Sequence, residues 1–165
     1  MQKILVIGCP GSGKSTFAKE LAKAMGLPLV HLDMLYWNSD GNRVEREVFL
    51  ERLDQTLVGD SWIIDGNYIS TMDMRMNLCD TVFFLDYDVA VCLDGIASRV
   101  GTKRSDIPWV ETTLDVEFAQ YVENFQNETR PTVLEILEKH KDKKIFTFTN
   151  RDQAREFLGR LVKGE

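Results

Sequence analysis

The chain has 165 residues, with 20 Lys+Arg against 26 Asp+Glu and a formal net charge of −6. Apolar residues make up 44% and charged residues 28%, the balance of a folded protein rather than a disordered one, and the length suits a single domain over 1–165. The acidic surplus argues against direct nucleic-acid binding and against an anionic membrane surface, since both need a basic face; a few placed cations can still hold an anionic small ligand.

Cys9, Cys79 and Cys92 are an odd set without zinc-like spacing, which reads as reduced thiols in a cytoplasmic protein. The apolar stretch at the start is too short for a secretory signal, and no run approaches the ~18 apolar residues of a membrane span.

In chain order, Lys3–Ile7 is a short apolar run of the buried-strand kind, followed by the glycine-rich Gly8–Gly13. Phe17, Ala18, Leu21, Ala22 and Met25 recur at helical spacing until Gly26 and Pro28 stop the helix. Leu29–Leu32 reads as a second strand and Asn38–Asn42 as a polar turn. Phe49, Leu50, Leu53 and Leu57 mark a helix ended by Gly59; Trp62–Ile64 and Thr81–Leu85 are strands. Val89, Cys92, Ile96 and Val100 space a helix closed by Gly101. Leu114, Phe118, Tyr121 and Phe125 mark another, which Pro131 is expected to kink or restart. Lys144–Thr149 is a fifth strand. Asn150 and Gln153 then suit the N-cap of a last helix striped by Ala154, Phe157, Leu158 and Leu161. Strands separated by helices imply an α/β fold, a parallel sheet covered on both faces, with ligands at the carboxyl ends of its strands.

Gly8-Cys9-Pro10-Gly11-Ser12-Gly13-Lys14-Ser15 fits G-x-x-x-x-G-K-[ST]. Chance produces this pattern at roughly 4 in 100,000 starting positions, and here it follows a strand and opens a helix. Glycines let backbone N–H groups turn inward around phosphates, and the helix start adds a positive field. Lys14 is placed to reach the β- and γ-phosphates, Ser15 to bind Mg²⁺ and Thr16 to reach the α-phosphate. Cys9 lies in the same positive field, which would lower its pKa; no catalytic role is assigned to it.

Acidic residues stand at the strand ends. Asp65 closes Trp62-Ile63-Ile64 and is the candidate carboxylate near Mg²⁺, the alternative being a turn residue before Gly66. Asp33 ends His31-Leu32-Asp33, where it would orient or deprotonate an acceptor hydroxyl; a helix N-cap is the alternative. His31 reads as packing, and Asp86 and Asp88 as structural. Arg99-Val100-Gly101-Thr102-Lys103-Arg104 carries three cations in six residues. Arg99 and Arg104 are the candidate contacts to a transferring phosphoryl group, and Gly101 a hinge; the alternative is a solvated helix end. Segment 99–109 is expected to form a short lid, packed by Trp109. Tyr36, Arg43, Asn67 and Arg75 are candidate acceptor contacts, and Arg151 lies where a purine base would rest. Met72, Met74 and Met76 read as gap fillers.

Taken together, Gly8–Thr16, Leu32–Leu35, Trp62–Tyr68 and Arg99–Trp109 resemble the small P-loop kinases of the adenylate kinase and shikimate kinase type. Within that type they are most similar to the bacterial group called DNA topology modulation proteins. The resemblance covers nearly the whole chain and implies a five-stranded sheet of order 2-3-1-4-5, a short lid, and ATP with Mg²⁺. Tyr36 and Ile69 stand where adenylate kinases carry phosphate-clamping arginines, the second at the end of Asp65-Gly66-Asn67-Tyr68-Ile69, so Asp33 suits an acceptor presenting a hydroxyl. Two functions follow as expectations. The first is an ATP- and Mg²⁺-dependent kinase for a small-molecule acceptor. The alternative is an ATP-binding regulator with weak ATPase activity, linked to DNA topology or gene regulation.

Overall fold

A computed structural model describes residues 1–164. Five strands, β1 (Lys3–Gly8), β2 (Leu29–His31), β3 (Trp62–Asp65), β4 (Thr81–Leu85) and β5 (Lys144–Phe148), form one parallel sheet of order 2-3-1-4-5. Seven helices surround it: α1 (Lys14–Met25), α2 (Leu32–Tyr36), α3 (Arg46–Leu57), α4 (Met72–Leu78), α5 (Val89–Ser98), α6 (Val116–Lys139) and α7 (Arg151–Lys163).

Central β1 explains why its sequence is apolar throughout rather than alternating. Ile4 and Val6 face a core built with α1, α5, α7 and the first half of α6, while Leu5 and Ile7 face a second core built with α2, α3, α4 and the end of α6. Both faces are dry, so every position must be apolar. Phe17, Phe83, Phe148 and Phe157 form an aromatic cluster in the first layer. On α1, Gly26 takes a left-handed conformation and returns its N–H to Ala22 O at 2.8 Å, which ends the helix.

Three expectations need correction. Pro131 does not restart its helix, because α6 runs unbroken for 24 residues with Pro131 inside. Val122 and Phe125 anchor it to one core, and Val133, Ile136 and Leu137 to the other, so packing on both sides carries the single lost N–H bond. The second strand stops at His31, so Asp33 lies in the first turn of α2 rather than at a strand end. The helix after β4 ends at Ser98, leaving 99–115 outside regular helix or strand. Met72, Met74 and Met76 fill the second core as expected, carried there by α4, which is entered through a 3₁₀ turn at Ile69–Thr71.

No helix among the described residues is long and apolar enough to cross a membrane.

Candidate phosphoryl-transfer site

Residues 9–13 link β1 to α1 and bend around an open centre. Gly11 has φ +84°, and a Cβ there would lie 2.0 Å from Cys92 O; a Cβ on Gly95 would lie 2.0 Å from Gly11 O. The loop therefore rests backbone to backbone on α5, and only glycine fits at either position. Ser12 N–H donates to Cys9 O at 3.1 Å, and Lys14 folds its ammonium back onto Cys9 O at 3.0 Å. The first turn of α1 contains no acidic residue and no side chain caps it, so its free N–H groups stay available to an anion. Gly11, Ser12, Gly13, Lys14, Ser15 and Thr16 line a cavity of about 840 Å³. Gly8 and Pro10 do not line it; Gly8 packs against Leu85.

The residues fit a nucleotide and a hard cation. Ser12 Oγ and Asp65 Oδ1 are buried without a hydrogen-bond partner, a cost of about 1–3 kcal/mol each that a bound group removes. Ser15 Oγ donates to Asp65 Oδ2 at 2.6 Å. A hydroxyl beside a carboxylate is an oxygen donor set of the kind Mg²⁺ takes, with water filling the remaining positions. No cluster of three His, Cys, Asp or Glu side chains among the described residues makes a protein-only metal cage. His31 lies directly across the β2–β3 pairing from Asp65 and sets its Nδ1 2.8 Å from Asp65 Oδ2. So His31 is more than packing: it orients the carboxylate. The alternation of β2 carried no sign of this, because cross-strand register is not written in either strand alone.

Asp33 accepts a hydrogen bond from Tyr68 Oη at 2.6 Å. Burial raises its pKa above the usual carboxylate value, the Tyr68 bond lowers it, and Asp65 raises it further; the net shift is upward. Lys14, Arg99 and Arg104 all act electrostatically on this carboxylate. Tyr68 itself is pushed above the ordinary phenol range, chiefly by burial and by Asp33.

The three-cation segment lines the same cavity, together with Asp106 and Arg151. Arg99 Nε lies 3.1 Å from Glu111 Oε2 and Arg104 Nη1 2.8 Å from the same oxygen, while Arg104 also forks onto Asp106. Lys19 Nζ stands 3.9 Å from Asp106. Burial works against ionisation of the Asp106 carboxyl, but the hydrogen bonds and charge of Arg104 hold it well below the usual range. Asp106 and Glu111 are site residues that the cation pattern did not bring out, since their partners are fixed by the fold of 99–115 rather than by helical spacing. Trp109 meets Trp37 with ring centroids 5.0 Å apart.

Other sequence candidates fall elsewhere. Arg75 does not reach an acceptor: it is fully buried and donates to the carbonyls of Gly66, Asn67 and Tyr68 and to Thr71 Oγ1. Asn67 turns its amide to the phosphate loop, accepting from Gly8 N–H at 2.9 Å and donating to Gly8 O at 2.7 Å. Tyr36 packs among Trp37, Phe49 and Tyr68. Arg43 is exposed and stacks 5.7 Å from the Trp37 ring centroid. None of Asp33, Tyr36, Arg43, Asp65, Asn67 and Arg75 lines the cavity. Cys9 is corrected too: contact with the Cys92 thiol and burial push its pKa up, and these outweigh the lowering by Lys14. Asp86 is held by Arg130 in a two-pronged pair, and Asp88 caps α5, as structural residues would be.

Comparison with known proteins follows the same lines. Shikimate kinase from Acinetobacter baumannii in complex with shikimate superposes at a TM-score of 0.61 and 17% identity, covering 100% of this chain and 95% of that one. Shikimate kinase from Bacteroides thetaiotaomicron gives a TM-score of 0.53 at 18% identity, covering 97% and 95%. At such identities the likeness establishes the P-loop kinase fold and nothing finer. No curated protein matches the sequence. The family model for the ATPase family associated with various cellular activities (AAA) matches residues 4–86, slightly more than half of the chain and the part that holds the phosphate loop, Asp33 and Asp65. The chain therefore belongs to that family of P-loop nucleotide hydrolases.

Proposed function

We propose that this protein is an ATP- and Mg²⁺-dependent kinase that phosphorylates a hydroxyl of a small molecule. The carrying observation is Asp33: a half-buried carboxylate of raised pKa, held by Tyr68, in the field of both Lys14 and the two arginines. A group of that kind accepts the proton of an attacking hydroxyl. The hydroxyl oxygen bonds to the γ-phosphorus, the bond to the β-phosphate oxygen breaks, and ADP leaves. Mg²⁺ supplies charge neutralisation on the phosphates, and Ser15 and Asp65 are the residues that would hold it. Lys14 and the loop amides hold the phosphates, and Arg151 lies where the base rests.

Segment 99–109 acts as a lid in this reading. Arg99 and Arg104 exchange Glu111 and Asp106 for phosphoryl oxygens during turnover. The unpaired thiols Cys9, Cys79 and Cys92 support a cytoplasmic location. The motif set supports placement beside the DNA topology modulation proteins, while the −6 charge speaks against direct contact with DNA.

The test is ATP consumption with and without a panel of nucleosides, nucleotides, sugars and hydroxy acids. A compound that stimulates turnover and appears phosphorylated by mass spectrometry supports the kinase. Slow hydrolysis unchanged across the panel refutes it in favour of a nucleotide-dependent regulator.

A further inference from the structure

Arg75 lies in the last turn of α4 with its side chain fully buried. Its partners are oxygens of one short segment and not a carboxylate. Nη1 donates to Gly66 O at 3.1 Å, Nη2 to Asn67 O and to Tyr68 O, and Nε to Thr71 Oγ1 at 3.3 Å. Burial pushes the guanidinium pKa down to about 10, so it remains charged at neutral pH. A buried cation held only by carbonyl and hydroxyl dipoles is costly, and an apolar side chain of similar length fills the same space without that cost. The segment it holds is itself strained: Tyr68 has φ +40°, the one positive-φ residue other than glycine among the described residues, at about 1–2 kcal/mol.

The outer side of that segment explains the arrangement. While three consecutive carbonyls converge on Arg75, the Asn67 side chain grips both main-chain groups of Gly8, the first residue of the phosphate loop. The Tyr68 hydroxyl meets Asp33. We propose that Arg75 is a positioning residue that fixes residues 66–68, so that Asn67 clamps the phosphate loop while Tyr68 holds the Asp33 carboxylate. One buried fork thus sets the donor side and the acceptor side of the reaction relative to each other. The proposal rests on the kinase reading above.

The test compares the natural chain with Asn67→Ala, Tyr68→Phe, Arg75→Lys and Arg75→Met. MgATP affinity is measured by calorimetry, folding by thermal denaturation, and the Asp33 carboxyl by carbon-13 NMR titration in magnesium-free buffer. Asp33 is also faced by Asp65, Lys14, Asp106, Arg99 and Arg104. None of these is altered, so shifts are read against the natural chain. Asn67→Ala is expected to bind MgATP about tenfold more weakly with the titration unmoved. Tyr68→Phe moves the titration to higher pH with affinity unmoved, because the bond favouring the ionised form is gone. Both Arg75 variants do both, and Arg75→Met combined with Asn67→Ala weakens binding no further than the worse single change.

A folded Arg75 variant with natural affinity and natural titration overturns the proposal. So does an Asn67→Ala chain that binds MgATP as the natural chain does, and this arm decides even where both Arg75 variants fail to fold. A natural chain that binds no MgATP refutes the kinase reading and the inference with it; natural binding with an indifferent Asn67→Ala refutes the inference alone.

Discussion

Replacing Gly95 by Ala adds one methyl group to α5, and the structure makes it a severe change. The new Cβ would lie 2.0 Å from Gly11 O and under 3.0 Å from Gly11 C and Cα. All three are backbone atoms that no rotamer change can move aside. Since real Cβ atoms keep at least 3.0 Å from such neighbours, loop or helix has to retreat by about 1 Å. Overpacking of this kind costs about 1–3 kcal/mol, which lowers the thermal midpoint of a chain this size by about 2–12 °C. The same retreat misplaces the phosphate cradle, and an error of about 1 Å in positioning costs on the order of 100-fold in turnover. Gly159→Ala is the matched control: it lies in α7 with nothing within 4 Å of its added Cβ. It should stabilise by about 0.5–1 kcal/mol and leave nucleotide binding alone. Calorimetry with MgATP and thermal denaturation on both variants decide the matter. A Gly95→Ala chain with natural affinity and natural midpoint refutes the backbone-to-backbone seating of the loop.

Lys14→Ala should cut ATP turnover by about 10²–10³-fold at unchanged thermal midpoint, read by ADP release; normal turnover would remove the loop from the mechanism. Because the Asp33 carboxyl titrates above the usual range, kcat/KM should fall on the acid side at a pH higher than an ordinary carboxylate gives. Asp33→Asn should abolish that limb and cost about 10²–10⁴-fold in rate, and an unchanged limb assigns it to another group. Asp106 has a folded pKa below its ordinary 3.8, so its ionised form stabilises the fold above that pH, and the contribution fades as pH falls through and below it. Asp106→Asn should therefore lose about 3 kcal/mol at pH 7 and show a flatter decline between neutral and acid pH by denaturant titration; a decline as steep as the natural chain's contradicts the pairing.

Much of this was legible because the signals are local. A continuous apolar run, a glycine loop and a helical stripe together define the β1–α1 unit, and the Asp after Ile64 lies where a strand must end. Asn150 and Gln153 cap α7 as a neighbouring pair should, with Gln153 N–H on Asn150 Oδ1 at 3.0 Å. What stayed hidden depends on partners far along the chain. Arg75 looks like any isolated surface cation until α4 carries it under the 66–68 segment. Asn67 follows Asp65 by two residues yet turns the other way, because Gly66 at φ +135° reverses the chain there. α4 itself is short, and its methionines have no turn or cap signature to separate them from loop packing. Pro131 misleads for the opposite reason, since a local breaker is overruled by apolar contacts on two different cores.

The meeting of Trp37 and Trp109 has an optical consequence. The third tryptophan, Trp62, is 1% exposed within β3, so its emission stays constant while the sheet is intact. Trp37 and Trp109 belong to different segments, one after α2 and one in 99–115, and any opening between those segments parts only this pair. The protein thus carries its own reporter against its own internal reference: a spectral change without a change at Trp62 records movement of the segment over the cleft, with no label added.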